Sequence, residues 1–335
     1  MQRFTITATA ALFLAGAMAL GTAHAMTFKI ATIAPDGTQW MTEMRAAAKE
    51  ISSRTEGRVD FKFYPGGVMG SDKSVLRKMR IGQLHGAAFS GGGLADVYPN
   101  SRIYGLPLLF KDEDEVDYVR ARMDEVFSKG LEDAGFVNFG IAEGGFALLM
   151  SSIPIRDTDD LKDKKTWVPE GDVVSYEALK ALGVAPVLLP LTDVLTGLQT
   201  GLVSTVATPP SGAIAFQWHT KIKHVTDLPV AYTYGVFVID KRTFQKLSDA
   251  DQAVVREILN DLFRRFDKLN REANYSARQA LIDNEIEFVE PDAATLQVWQ
   301  DISNEVIENL GGESAFDIKL AKDVQALVRE YRSRQ

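Results

Sequence analysis

Residues 248–284 read SDADQAVVREILNDLFRRFDKLNREANYSARQALIDN, with no glycine or proline to interrupt them. Ser248 and Asp251 resemble a capping box at the start of this stretch. Ile258, Leu262, Phe266, Leu269, Ala273 and Leu281 then recur at helical spacing. A helix continuous to about Asn284 is on the order of 50 Å long at 1.5 Å per residue, more than one small domain is wide. The stripe is not a sustained leucine heptad, which disfavours a coiled coil. A helix laid across two domains fits it.

Upstream of that helix, strand-like and helix-like segments alternate. Phe28 and Ile30 share one face of a predicted strand over 27–32, and Trp40, Met44, Ala48 and Ile51 follow at helical spacing. Val59, Phe61 and Phe63 alternate as a half-buried strand that Pro65-Gly66-Gly67 breaks. A helix is expected from Asp72 to about Gly82 with Ser71 as its cap, then a short strand over 85–90. Asp112, Glu113, Asp114 and Glu115 open the next helix, where acidic groups complement the macrodipole. Its apolar stripe is Val116, Val119, Met123, Phe127 and Leu131.

Strands are predicted at 136–142, 146–150, 184–189, 203–207 and 230–239. Helices are placed over about 172–183, capped by Asp172, and over 192–200, closed by Gly201. Beyond the long helix come a strand at 286–289 and two amphipathic C-terminal helices. Alternation of this kind predicts an α/β fold on largely parallel sheets.

The chain has 335 residues, which suggests about two domains. It is 46% hydrophobic and 24% charged with a net charge of −8, an ordinary globular balance without the basic face of a nucleic-acid binder. It has no cysteine, which excludes disulfides, thiolate zinc sites and cysteine nucleophiles. At the start, Met1-Gln2-Arg3, an apolar run from Ala8 to Gly21 and Ala23-His24-Ala25 have the layout of a secretory signal peptide. Cleavage after Ala25 is expected, leaving an exported chain.

Catalytic patterns are sparse. No dinucleotide fingerprint, phosphate-binding loop, zinc-protease or calcium-loop motif occurs. Ala88-Phe89-Ser90-Gly91-Gly92 is a degraded nucleophile elbow, and Asp193 with His219 or His224 would complete a hydrolase order. His219 and His224 lack the i,i+4 spacing of a helical metal pair, and His224 is expected on a polar surface with Lys221 and Lys223. No metal and no cofactor are expected.

Several segments, in order, carry a resemblance. They are Ala34-Pro35-Asp36-Gly37-Thr38-Gln39-Trp40, Thr55-Glu56-Gly57-Arg58-Val59, and Phe63-Tyr64-Pro65-Gly66-Gly67-Val68-Met69-Gly70. Tyr98-Pro99, Leu106-Pro107, Asp160-Leu161-Lys162-Asp163-Lys164-Lys165, Gly197-Leu198-Gln199-Thr200-Gly201 and Leu247-Ser248 extend it. Together they resemble the extracytoplasmic solute-binding proteins of TRAP transporters over essentially the whole mature chain.

The resemblance implies a two-lobed α/β fold of the periplasmic binding protein type (type II-like) with a ligand cleft between the lobes. Residues 26–146 with about 230–275 would form lobe I, and 147–229 with about 276–335 lobe II. The helix at about 249–284 would cross both. The expected partners are a small organic solute and the membrane subunits of a TRAP permease, with the chain a periplasmic monomer and not an enzyme. A sensor docking on a signalling receptor is the alternative within the same fold.

The sequence departs from the family where ligand is held. Typical members carry an arginine in a K-x-R-V-P stretch that grips the ligand carboxylate through its planar fork. Here the stretch reads Lys165-Thr166-Trp167-Val168-Pro169, with Trp167 in the arginine position. Glu143-Gly144-Gly145-Phe146-Ala147 lacks a second arginine, the acid-Asn-Pro pattern has become Ala207-Thr208-Pro209, and Ser90 replaces an acid common in sialic-acid binders.

A carboxylate enclosed without its cation loses hydration with little return, so C4-dicarboxylates and sialic acid are disfavoured. An apolar or aromatic, weakly polar molecule suits the site best. A quaternary ammonium is a second class. An aromatic monocarboxylate would need Arg102, Arg156 or Lys165 to reach the cleft. Trp167, Ser90, Thr208, Trp40, Phe89, Leu191, Trp218 and Tyr234 are the candidate lining residues.

Overall fold

The structure, a computed structural model, describes residues 25–313 and 315–335; the predicted leader lies outside the described residues. β1 (Met26–Thr32) hides Phe28 and Ile30 completely, as the alternation required. α1 (Gln39–Arg54) returns the chain to β2 (Val59–Tyr64), which pairs parallel to β1. α2 (Asp72–Arg80) leads to β3 (Gly86–Ser90), parallel to β1 on its other edge.

Two 3₁₀ turns, Gly91–Leu94 and Pro99–Gly105, precede α3 (Glu113–Asp133). The acidic start of α3 is a cap and an ion pair: Asp112 accepts the Glu115 N–H at 2.9 Å, and buried Glu115 holds Arg332 at 2.7 and 2.9 Å.

The two strands predicted at 136–142 and 146–150 are one, β4 (Phe136–Ser151). Gly140 and Gly145, with φ of 125° and 106°, bend it while its ladder continues. The chain then runs through α4 (Thr158–Leu161), β5 (Lys165–Pro169), α5 (Val173–Ala181), β6 (Ala185–Leu189), α6 (Val194–Thr200), β7 (Thr205–Thr208) and α7 (Pro210–Ala215).

β8 (His224–Asp240) is longer than the predicted 230–239. Its extra length passes Pro229 where the ladder to β4 is interrupted, between the Ala231–Ala147 and Thr226–Leu149 pairs. A residue without an N–H is tolerated there. α8 (Lys241–Phe244), α9 (Asp249–Asp283), β9 (Glu287–Val289), α10 (Ala293–Gly312) and α11 (Ile318–Arg332) complete the chain.

Among the described residues nine strands join in one sheet, ordered β2-β1-β3-β8-β4-β7-β5-β6 with β9 on β8. The expectation of largely parallel sheets needs correction. The two flanks are parallel, but β3–β8, β8–β4 and β4–β7 pair antiparallel. β4 and β8 are long enough to serve both lobes, so each lobe's parallel flank is stitched to a shared antiparallel pair.

α9 spans both lobes as its periodicity predicts. Val255, Ile258, Leu259, Leu262, Phe263 and Phe266 enter the lobe I core under β1 and β8, and Leu281 enters the lobe II core with Met150 and Val225. α11 packs on α3: Ala321, Val324 and Val328 share a core with Val116, Val119 and Phe127. Among the described residues no helix is long and apolar enough to cross a membrane.

Candidate ligand cleft

In α/β sheets the loops beyond the carboxyl ends of parallel strands gather side chains for binding. In lobe I these ends are Thr32, Tyr64 to Gly67, and Ser90; in lobe II they are Pro169, Leu189 to Thr192, and Thr208. The structure brings the two sets face to face.

Gly67, with φ of 71°, donates its N–H to Thr32 O at 3.0 Å, and a Cβ there would overlap the Thr192 methyl of lobe II. On the lobe I side a gap of about 10 Å³ lies beside Thr32, Gly67, Asp72 and Ala88, close to the space of one water. At Gly67 and Thr192 the two lobes touch.

Asp72 is the notable side chain of this seam, and the sequence reading saw it only as the start of a helix. Its carboxylate takes one long hydrogen bond, from Ser90 Oγ at 3.4 Å. Burial, with a smaller push from Glu170 across the seam, raises its pKa to about 6, against the Ser90 hydrogen bond. A Cβ on Gly93 would overlap this carboxylate, so that glycine makes room for it, as Gly91 does for the Tyr234 ring.

Arg102 is the one of three proposed cations that reaches the seam. It donates to Ala315 O at 2.9 Å and, weakly, to Gly171 O of lobe II at 3.4 Å. Its Nε and the neighbouring Ser101 Oγ are buried without a hydrogen-bond partner. Arg156 is exposed. Lys165 sits at the opposite end of β5, with Nζ on Gly201 O at 3.0 Å.

The predicted lining residues fall into two groups and one outlier. Trp167, Trp218 and Leu191 meet in lobe II: the indoles pack edge to face at 5.1 Å, and Trp167 Nε1 donates to Leu189 O at 3.0 Å. Both tryptophans are buried, and Thr208 ends β7, the strand beside β5 in the sheet, buried as well. In lobe I, Ser90, Phe89 and Tyr234 lie together, with Phe89 and Tyr234 in the core and the Tyr234 hydroxyl donating to Ser101 O. Trp40 stands apart, its ring stacked on Phe266 of α9 at 6.1 Å.

The hydrolase constellation is not assembled. Ser90 is bonded to Asp72, Asp193 accepts from Thr192, and His219 Nδ1 lies 3.1 Å from Ala213 O. His224 is not on a surface with Lys221 and Lys223 as expected. It opens β8 with its side chain about four-fifths buried, Nδ1 3.4 Å from Glu287. Pairing with β4 on one side and β9 on the other encloses it.

Behind the seam lies a polar joint that sequence reading missed. Arg120 of α3 donates to Asp267 at 2.9 Å, Asp124 at 3.0 Å, Ile141 O at 2.8 Å and Tyr232 Oη at 3.2 Å. Asp267 also accepts the Glu143 N–H at 2.9 Å, and Arg271 grips Glu143 and Asp117 at 2.8 and 2.7 Å. Asn274 donates to Gly144 O at 2.9 Å and accepts from Ser211 N at 3.1 Å. The middle of α9 is thus bolted to β4 where that strand passes from one lobe to the other.

Two α/β lobes that meet at their strand ends, and are joined by two long strands and one helix, define the class of two-lobed, cleft-binding solute receptors. The chain matches the bacterial extracellular solute-binding protein family 7 over residues 30–313, and it belongs to that family.

Among its relatives is the C4-dicarboxylate-binding periplasmic protein DctP of Rhodobacter capsulatus, 24% identical over 291 residues, 83% of this chain and 86% of that protein. The sugar acid binding protein DctPAm of Advenella mimigardefordensis, solved with galactonate, superposes with a TM-score of 0.84 at 20% identity, covering 92% and 99% of the two chains. A TRAP periplasmic solute-binding protein of Ralstonia eutropha, solved with (S)-2-acetolactate, gives 0.83 at 22% identity, covering 91% and 99%.

Proposed function

We propose that this chain is a periplasmic receptor that closes on a small organic solute and hands it to a TRAP-type, ion-gradient-driven permease. On this reading it is exported with cleavage after Ala25, acts as a monomer, and performs no catalysis. The solute is apolar or aromatic and weakly polar, and it meets Trp167, Ser90, Thr208 and Leu191, with Phe89, Trp218 and Tyr234 behind them.

The observation that carries the ligand class is the charge of the seam. Asp72 and Glu170 oppose each other across it, and Trp167 occupies the position where the family holds its arginine. A dicarboxylate entering there would meet two like charges. The solved relatives' ligands, galactonate and acetolactate, are those proteins' own. A cationic solute is the second reading, favoured by the same two carboxylates.

The test is a thermal-shift screen of residues 26–335, refolded first to strip carried-over ligand. The panel holds dicarboxylates, aromatic acids, quaternary amines, and neutral terpenoids or phenolics. A solute at 100 times its Kd adds about 2.7 kcal/mol. We expect shifts from the neutral aromatic set, and Trp167→Arg should weaken them. A strong shift with dicarboxylates in the unaltered protein would overturn this ligand class.

A further inference from the structure

At the end of lobe II away from the cleft, the strand registers align one polar residue from each of five strands. Thr166 pairs with Thr205, Thr205 with Ser151, Ser151 with His224, and His224 with Glu287. Directly paired residues project from the same face of a sheet. Thr166, Thr205 and Ser151 are all at least 98% buried.

Ser151 is satisfied locally by Ile153, donating to its carbonyl and accepting its N–H. Thr166 Oγ1 and Thr205 Oγ1 make no hydrogen bond, whereas His224 Nδ1 faces Glu287 at 3.4 Å. Buried polar atoms are nearly always paired, with protein, water or a bound group, so two neighbouring orphan hydroxyls mark a place where something else belongs.

A cavity of about 250 Å³ opens at this row, and Thr205 is part of its wall. Ser152, Ser204, Lys164 and Lys165 bring further donors to it, against the single carboxylate of Asp163. Ser204 Oγ already accepts the Lys165 N–H at 3.2 Å, which leaves its own proton free to donate. Lys164 and Lys165 outnumber Asp163 around the cavity, Lys165 Nζ being already held by Gly201 O at 3.0 Å, and the hydroxyls add donors. Donors and positive charge prevail.

We propose that this cavity is an oxyanion site, separate from the cleft, that takes a phosphate or sulfate group. The Thr205 hydroxyl forms its floor, Ser152 and Ser204 its walls, and Lys164 supplies the counter-charge. Charge-assisted hydrogen bonds from hydroxyl and ammonium donors are the chemistry that holds such groups. The group is either a free inorganic ion or the phosphoryl part of a lipid headgroup. The inference stands independently of which solute the cleft takes.

The test uses the mature chain at constant ionic strength, with sodium chloride replaced stepwise by sodium phosphate or sulfate. We expect a saturable rise in Tm. Lys164→Met should weaken the apparent affinity about tenfold, as expected for a lost charge-assisted hydrogen bond, and Lys164→Arg should keep most of it. Thr205→Val, which preserves side-chain shape, should fold and lose the response.

In a parallel arm, co-sedimentation with vesicles of phosphatidylcholine and phosphatidylglycerol is measured. Binding to vesicles that Lys164→Met abolishes, without a response to free phosphate, assigns the headgroup; a response to free phosphate assigns the soluble ion. A Tm that follows ionic strength alone, with no vesicle binding, overturns the site. A saturable response unchanged in both Lys164→Met and Thr205→Val means an adventitious ion only, and also overturns it.

Discussion

The joint behind the cleft and the seam in front of it are built by opposite rules. At the joint, Arg120 of α3, Asp267, Arg271 and Asn274 of α9, and Glu143 and Gly144 of β4 are tied together by bonds of about 3 Å, so three elements are locked to one another. At the seam, Arg102 meets Gly171 O of lobe II only at 3.4 Å, glycine backbone lies against a threonine methyl, and Asp72 meets Ser90 of its own lobe at 3.4 Å. The hydrogen bond from Arg102 to Gly171 O is weak, whereas parting the joint would strand the buried Arg120 and Glu143. A polar joint behind a sparsely bonded seam is the arrangement that hinge closure around a ligand would use.

The largest effect should come from attacking the joint. Arg120→Met leaves the partly buried Asp124 and Asp267 without their buried cation, which costs about 3 kcal/mol. Urea unfolding is the measurement, and a loss under 1 kcal/mol would mean that the joint is not what holds the lobes in register.

A smaller effect is expected at the seam. Gly67→Ala puts a Cβ against Thr192 and a side chain at positive φ, a backbone cost of about 1 kcal/mol. Closure should suffer more than folding. Small-angle scattering should find the variant expanded, and Thr192→Gly added to it should recover compaction. Equal compaction in Gly67→Ala alone would remove the close approach as a condition of closure.

The smallest effect concerns pH. The pKa of Asp72 is raised by burial to about 6 from its ordinary carboxylate range, so between about pH 4 and 6 the folded chain keeps a proton that the unfolded chain has released. Its contribution is full below that window, lost as pH rises through it, and constant above. Asp72→Asn should flatten this component, read as the difference between the two proteins' stability profiles from pH 4 to 7.5. Parallel profiles would show that the Asp72 carboxyl is no better buried folded than unfolded.

Much of the fold was legible because the signals are local. The capping serine and apolar stripe of α9 sit within its own sequence, and Ser248 does accept the Asp251 N–H. The antiparallel centre of the sheet was not legible, since strand direction is fixed by partners far along the chain. The packing of α11 on α3 was hidden for the same reason. In the candidate site, Trp167 stood out only against the motif of a resembling family, and its contact with Trp218 is a tertiary fact. Asp72 read as an ordinary helix start. The Arg120–Asp267 pair joins residues 147 apart, which no spacing rule anticipates.

The last helix of the chain has a consequence for how the protein is made. Lobe I takes its first strand from residue 26 and its final layer from α11, which ends at Arg332. A chain emerging from its amino end cannot finish that lobe until Arg332 has appeared. Its α3 face stays uncovered, and Glu115 unpaired with Arg332, until then. Such a chain is slow to commit to compactness, which is the condition a polypeptide must keep while it is threaded across a membrane.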